Sequence, residues 1–205
     1  MLHGQMVNDL GGSRKRSASC TWRRARKFIQ RSLILAPQHR RDSPTLLMAK
    51  AFPKSEFHGF DLHPASIEAV NRHAEEQRLT NVHFSIAAAK DFTGCDYGFV
   101  TIFDALPDMG DPVGATSHVR KTIQSDGTCM ILEPIAGDSL AENMNPVGRV
   151  YYGFSTMICT PASFSREVGL ALGAQAGERR MMPLAFFGHV SIPMHCKTVR
   201  QLLSV

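Results

Sequence analysis

Three apolar runs in this chain each close on a carboxylate. Glu56-Phe-His-Gly-Phe-Asp61 ends in Asp61, Tyr97-Gly-Phe-Val-Thr-Ile-Phe103 is followed by Asp104, and Thr128-Cys-Met-Ile-Leu132 by Glu133. Apolar runs this short, bounded by turn residues, read as strands buried on both faces, as in a parallel sheet. An acid inside such a strand would be costly to bury, so each one marks where a strand reaches solvent. Three acids at the same end of three strands lie along the carboxyl edge, where open α/β sheets hold their ligands. Capping the next turn or helix is the other use for an edge acid; three in register shift the balance toward binding.

The intervening sequence supplies the rest of a layered fold. Ser32-Leu-Ile-Leu-Ala36 is a β-compatible run, and Val82-His-Phe-Ser-Ile86 is another. Helices are expected over Thr45–Phe52, over Pro64–Gln77 with Ile67, Val70 and Ala74 on one face, and over Val113–Gln124. Ser125-Asp126-Gly127 reads as the turn that stops the last of these. Strand and helix alternate, which predicts a doubly wound, mostly parallel sheet.

Residues 135–177 break that alternation. Asn145-Pro-Val-Gly-Arg149-Val-Tyr151-Tyr152-Gly-Phe154-Ser155 places aromatics, glycines and one arginine in an insertion after the last parallel strand. There it would lie over the carboxyl edge as a helical lid shaping a pocket. Tyr151, Phe154 and Ile158 are expected to form the inward face of an amphipathic cap, and Arg149 and Tyr152 to face the pocket. Beyond the lid we expect a short helix near Glu178–Leu184. Two strand-like runs follow, His189–Pro193 and Val199–Val205, and would close the sheet edge with an antiparallel strand.

Charge divides the chain in two. Of its 23 Lys and Arg, ten lie in residues 1–41 against the single acid Asp9, leaving 13 bases against 17 acids in the remainder. Residues 1–31 therefore read as a basic, poorly ordered arm, and residues 32–205 as one domain with a mildly acidic surface. The arm lacks the interleaved aromatics of a dedicated nucleic-acid site, so a solvated tail is the expectation, with nucleic-acid contact through it as the alternative. No run approaches the ~18 apolar residues of a membrane span. The basic N-terminus has no apolar core after it, so no secretory signal is expected. Cys20, Cys95, Cys129, Cys159 and Cys196 are odd in number and scattered, consistent with reduced thiols in a cytoplasmic protein. No histidine pair has the spacing of a metal site, and none is expected.

Several motifs together resemble class I S-adenosylmethionine-dependent methyltransferases, in particular bacterial small-molecule enzymes that carry an N-terminal winged-helix domain. They are Ala51-Phe-Pro53, Gly59-Phe-Asp61, Ala89-Lys-Asp-Phe92, Phe103-Asp-Ala-Leu-Pro-Asp-Met-Gly-Asp-Pro112, Glu133-Pro134, Asn145-Pro-Val-Gly-Arg149 and Tyr152-Gly-Phe-Ser155. The resemblance runs from about Thr45 to Arg180. It implies a Rossmann-like sheet and S-adenosylmethionine as cofactor. Asp61, with Leu62 beside it, would hold the ribose hydroxyls, and Lys90, Asp91 and Phe92 would lie beside the adenine. Phe103 and Asp104 would floor the methionine end. Asp108, Met109, Arg149 and Tyr152 would face a small-molecule methyl acceptor, with Asp108 the candidate catalytic residue. A homodimer is compatible with the family.

The chain departs from the family pattern in three places. The glycine-rich loop after the first strand would put glycines at positions 38, 40 and 42, where this chain has Gln38, Arg40 and Asp42. Side chains there would enter the cofactor's volume. Where relatives carry His-Asp, this chain has Pro107-Asp108, so a histidine base is missing. The winged-helix domain is replaced by an arginine-rich stretch, and similarity fades after Arg180. These departures are expected of a truncated or frameshifted reading frame. They set a working methyltransferase against an inactive binding module that keeps the fold.

Overall fold

The computed structural model describes residues 31–35 and 43–186. Its sheet has five strands, all parallel: β1 (Arg31–Leu35), β2 (Glu56–Asp61), β3 (Val82–Ile86), β4 (Tyr97–Phe103) and β5 (Ile123–Leu132), in the order β3-β2-β1-β4-β5. Helices α1 (Pro44–Ala51), α2 (Pro64–Glu76) and α3 (Pro112–Thr122) connect them. The chain moves outward from β1 through β2 to β3, then returns to β1's other side for β4. That reversal opens a crevice at the carboxyl ends of β1 and β4, the position at which doubly wound sheets bind ligands.

Burial explains why β1 and β4 take the centre. Ser32, Leu33 and Ile34 are fully buried, as are Tyr97, Val100, Thr101 and Ile102. On one face of the sheet Leu33, Phe60, Val100 and Ile102 pack with Phe92, Leu106 and Val119. On the other, Ile34, Ala49 and Phe57 gather Phe52, Phe99 and Phe103. Alternate strand residues feed opposite layers, so both faces must be covered and the runs are apolar throughout.

Local chemistry sets the helix starts. Ser43 Oγ accepts from Leu46 N–H ahead of Pro44, and Asp111 Oδ1 accepts from Gly114 N–H (2.7 Å) ahead of Pro112. Pro64 opens α2, where His63 makes no side-chain cap. In each, proline occupies a first-turn position whose N–H would have no helical partner.

The turn expected at Ser125–Gly127 is instead a bulge inside β5. Tyr97 pairs with Ile123 and Phe99 with Thr128, so residues 124–127 are extra length on one strand. Helix α3 correspondingly ends at Thr122 rather than Gln124. The lid forms α4 (Leu140–Asn143), α5 (Pro146–Phe154), a π-helical turn (Ser155–Cys159) and α6 (Thr160–Phe164). Phe154 and Ile158, expected to face inward, are 47% and 54% exposed. The lid helix is held instead by small residues, Gly148 and Ser155, which are buried. Helix α7 (Glu178–Phe186) follows, as expected of the tail. Arg31, expected as the last residue of the basic arm, opens β1 instead, and residues 1–30 of that arm, the glycine-loop positions Gln38, Arg40 and Asp42, and the two C-terminal strand-like runs lie outside the described residues. No described helix is long and apolar enough to cross a membrane.

Candidate functional site

The carboxyl edge holds a cleft of about 430 Å³, a size suited to a small ligand. Asp61 enters it from the end of β2. Its Oδ1 accepts from His63 N–H (2.9 Å), which fixes the carboxylate over the turn into α2. Leu62 lines the cleft beside it. From the end of β3 come Ala87, Ala88 and Ala89, whose short side chains leave room, and then Lys90. Asp91 turns away to accept from Ala88 N–H (3.1 Å) and so shapes this loop rather than lining the cleft.

The floor comes from the end of β4. Asp104 N–H donates to Leu132 O (2.8 Å), and the residue then adopts a left-handed φ of +46°. Ala105 follows, then a helical turn over Leu106–Asp108; Asp104, Ala105, Asp108 and Met109 all reach the cleft. Behind this turn Glu133 Oε1 accepts from Ala105 N–H (3.2 Å) and Leu106 N–H (3.0 Å). Burial, and then the neighbouring Asp108, raise the Asp104 carboxyl above its ordinary range. Burial pushes Glu133 up to about 8, with Asp104 and Asp108 adding to the effect and the two amides opposing it. Cys159 on the lid, whose thiol burial and a hydrogen bond with Asp108 push up to about 12, joins that turn to the lid.

The roof is the segment Arg166-Glu167-Val168. Ser163 Oγ donates to Met109 O (2.7 Å), and Leu170 N–H donates to Gly110 O (3.0 Å). Gly110 makes this approach possible, because a β-carbon there would sit 2.2 Å from Arg166 Cβ. Glu167 also pairs with Lys90 across the cleft mouth. That contact raises the Lys90 ammonium's pKa and lowers that of the Glu167 carboxyl, chiefly through the hydrogen bond between them.

Asp61, Leu62, Lys90, Asp104, Asp108 and Met109 thus line one cleft. Phe92, Phe103, Arg149 and Tyr152 are not among the lining residues. Phe92 is 2% exposed, stacked on Phe60 with ring centroids 5.2 Å apart and edge-on to His118. Phe103 packs on the opposite layer with Ile34 and Phe57. Arg149 is exposed and Tyr152 half-buried on α5. Gly110 and Asp111, quoted within a motif but given no role in the site, also line the cleft, and Arg166, Glu167 and Val168 do so without having been singled out, since no local pattern marks a roof segment that arrives from far downstream. Among the described residues no group of three or more acid, His or Cys side chains suits a metal ion.

The lining carries five carboxylates (Asp61, Asp104, Asp108, Asp111, Glu167) against two cations (Lys90, Arg166). Such a site favours a ligand with cationic groups and hydroxyl donors. S-Adenosylmethionine, with a ribose diol, an ammonium and a sulfonium, has that chemistry, and the residues present fit it.

A family profile described as a methyltransferase domain matches residues 43–181. Among solved structures, the YcgJ protein from Bacillus subtilis superposes with a TM-score of 0.54 at 16% identity, covering 77% of this chain and 60% of its own. A Nostoc punctiforme protein provisionally assigned as an O-methyltransferase gives 0.54 at 14%, covering 77% and 44%. The StiE O-methyltransferase gives 0.51 at 13%, covering 67% and 50%. The chain therefore spans less than two thirds of each relative's length. At these identities the structural likeness establishes the fold. No match is found among curated proteins.

Proposed function

The chain belongs to the methyltransferase-domain family, and we propose that it binds S-adenosylmethionine in the Asp61 cleft and transfers the methyl group to a small-molecule acceptor. The observation that carries this reading is the convergence of Asp61, Asp104 and the alanine-lined β3 exit on one acidic cleft at the sheet's switch point. When bound, the cofactor supplies an electrophilic methyl on a positively charged sulfur.

Each residue has a role in binding or orientation. Asp61 accepts the ribose hydroxyls, and the His63 amide holds its carboxylate in place. Leu62, Ala88, Ala89 and Lys90 bound the base end, and Asp91 sets their loop. Asp104 faces the ammonium end, and Asp108 with Met109 faces the acceptor. Methyl transfer to an oxygen, nitrogen or carbon nucleophile is in-line displacement, so holding acceptor and donor at attack distance supplies much of the rate. Asp108 is the group placed to take the acceptor's proton. The roof at Arg166–Val168 and the exposed Lys90–Glu167 pair border the mouth through which ligands enter. Gln38, Arg40 and Asp42 at the glycine positions favour a second reading, a catalytically inactive binding module that keeps the fold but not the cofactor.

Calorimetry with S-adenosylmethionine and S-adenosylhomocysteine tests the proposal. Asp61→Ala removes charge-assisted hydrogen bonds worth roughly 1.5–3 kcal/mol, so affinity should fall about 10- to 150-fold. Wild-type protein that binds neither compound, or an Asp61→Ala variant that binds both as well as wild type, overturns the proposal. Formation of S-adenosylhomocysteine in the presence of candidate acceptors separates turnover from binding alone.

A further inference from the structure

Glu133 does not line the cleft, yet it touches the backbone of the turn that does. One of its oxygens takes both amides that follow Asp104, at 3.2 and 3.0 Å, and the other, Oε2, is sealed from solvent with no partner. The charged side chains that act on it are Asp104, from the end of β4, and Asp108, from the helical turn; no cation is among them in the described residues. The turn itself is not relaxed. Asp104 sits at φ +46°, a region that aspartate visits at some cost and keeps only when surrounding contacts over-determine it. Two N–H bonds converging on one carboxyl from the next strand are such contacts.

We propose that Glu133 is a positioning residue for this cleft, latching the Asp104–Asp108 turn from beneath while carrying a proton. As the neutral acid it satisfies both amides and adds no charge beside Asp104 and Asp108. Ionised, it becomes a third carboxylate beside Asp104 and Asp108, with one oxygen sealed from solvent and no cation among the charged groups that act on it in the described residues. Movement of the turn that lets water reach Oε2 then relieves it, and the floor presented by Asp104, Ala105, Asp108 and Met109 loses its shape. Burial raises the pKa of Glu133 to about 8, which places this change just above neutral pH. The link to cofactor binding rests on the proposed function; the latch does not.

Two variants and two readouts test the inference. Glu133→Gln keeps an acceptor at Oε1 and cannot ionise, while Glu133→Leu keeps the bulk and removes the acceptor. The first readout is the protection factor of the Ala105 and Leu106 amides in ligand-free protein, by NMR hydrogen exchange on either side of pH ~8. Wild-type protection should fall about tenfold per pH unit above that point. In the Gln variant it should stay flat, and in the Leu variant it should be lost at every pH. The second is S-adenosylhomocysteine affinity by calorimetry, which should weaken with pH in wild type and not in the Gln variant. Equal pH dependence of amide protection in wild type and the Gln variant overturns the proposal, as does retained protection in the Leu variant. Amides that behave as expected in a protein that binds no S-adenosylhomocysteine support the latch and refute the cofactor assignment.

Discussion

Replacing Gly148 by alanine should loosen the lid while leaving the sheet intact. Gly148 is buried in the first turn of α5, and a β-carbon there would lie 1.9 Å from the carbonyl oxygen of Asn143 and 2.9 Å from its carbon. Ordinary contact begins near 3.4 Å, so α5 and the end of α4 must separate by about 1.5 Å. Both sides of that contact are backbone, which cannot swing aside. The shift strains Asn145 Oδ1, which accepts from Gly148 N–H (2.9 Å), and the two hydrogen bonds of Asn143, whose Oδ1 accepts from Gly137 N–H (2.7 Å) and whose Nδ2 donates to Gly137 O (3.0 Å). Overpacking costs about 1–3 kcal/mol and a weakened cap about 1 kcal/mol, against a gain of about 1 kcal/mol from alanine's helix propensity. The net is a local loss of about 1–3 kcal/mol, or a 5- to 150-fold rise in lid opening. Gly153, in the same helix with nothing within 4 Å of its notional β-carbon, is the control; alanine there should stabilise the lid slightly. Hydrogen-exchange mass spectrometry should show faster exchange over residues 137–152 in the Gly148 variant and unchanged exchange over β2 and β4. Should both glycine variants protect the lid equally, the steric reasoning is wrong.

Further outcomes follow from titrating groups. Glu133 has its folded pKa raised from 4.5 to about 8, so the unfolded chain releases its proton first. Stability should therefore be full at low pH and decline as pH rises from about 4.5 through about 8, by at most roughly 5 kcal/mol; Glu133→Gln should remove that slope in urea titrations. His58 behaves in the opposite sense. Burial lowers its pKa below 6.5 despite Glu56 Oε1 at 3.1 Å, so acidification below about 6.5 protonates the unfolded chain first and costs stability. His58→Gln should flatten the acid limb of the unfolding profile; a limb unchanged by that substitution would assign it to other groups. Lys90→Gln removes an exposed pair and should leave the melting temperature unchanged, as surface pairs contribute little, while speeding ligand release across the open mouth.

The strands, their parallel sense and the helices between them were legible because each depends on neighbours in sequence. The apolar runs at Glu56–Asp61 and Tyr97–Phe103, and the apolar face of Ile67, Val70 and Ala74 on the second helix, contain their own physics within a few residues. The edge position of Asp61 and Asp104 was legible too, since an acid closes a buried strand most cheaply where solvent begins; Glu133 also follows its strand, but one of its oxygens is sealed from solvent and the other sits beneath the Ala105–Leu106 turn, contrary to the sequence expectation. The β5 bulge was not legible, because Ser125-Asp126-Gly127 suits a turn and a bulge equally and only pairing with β4 chooses between them. Phe92 and Phe103 sit beside edge acids in sequence yet point into the two core layers, a matter of which side of the sheet each residue meets. The roof at Arg166–Val168 and the hold of Glu133 on Ala105 and Leu106 join segments 27 or more residues apart. Those contacts exist only once parallel strands bring their ends to one edge, so tertiary structure alone decides the shape of the cleft.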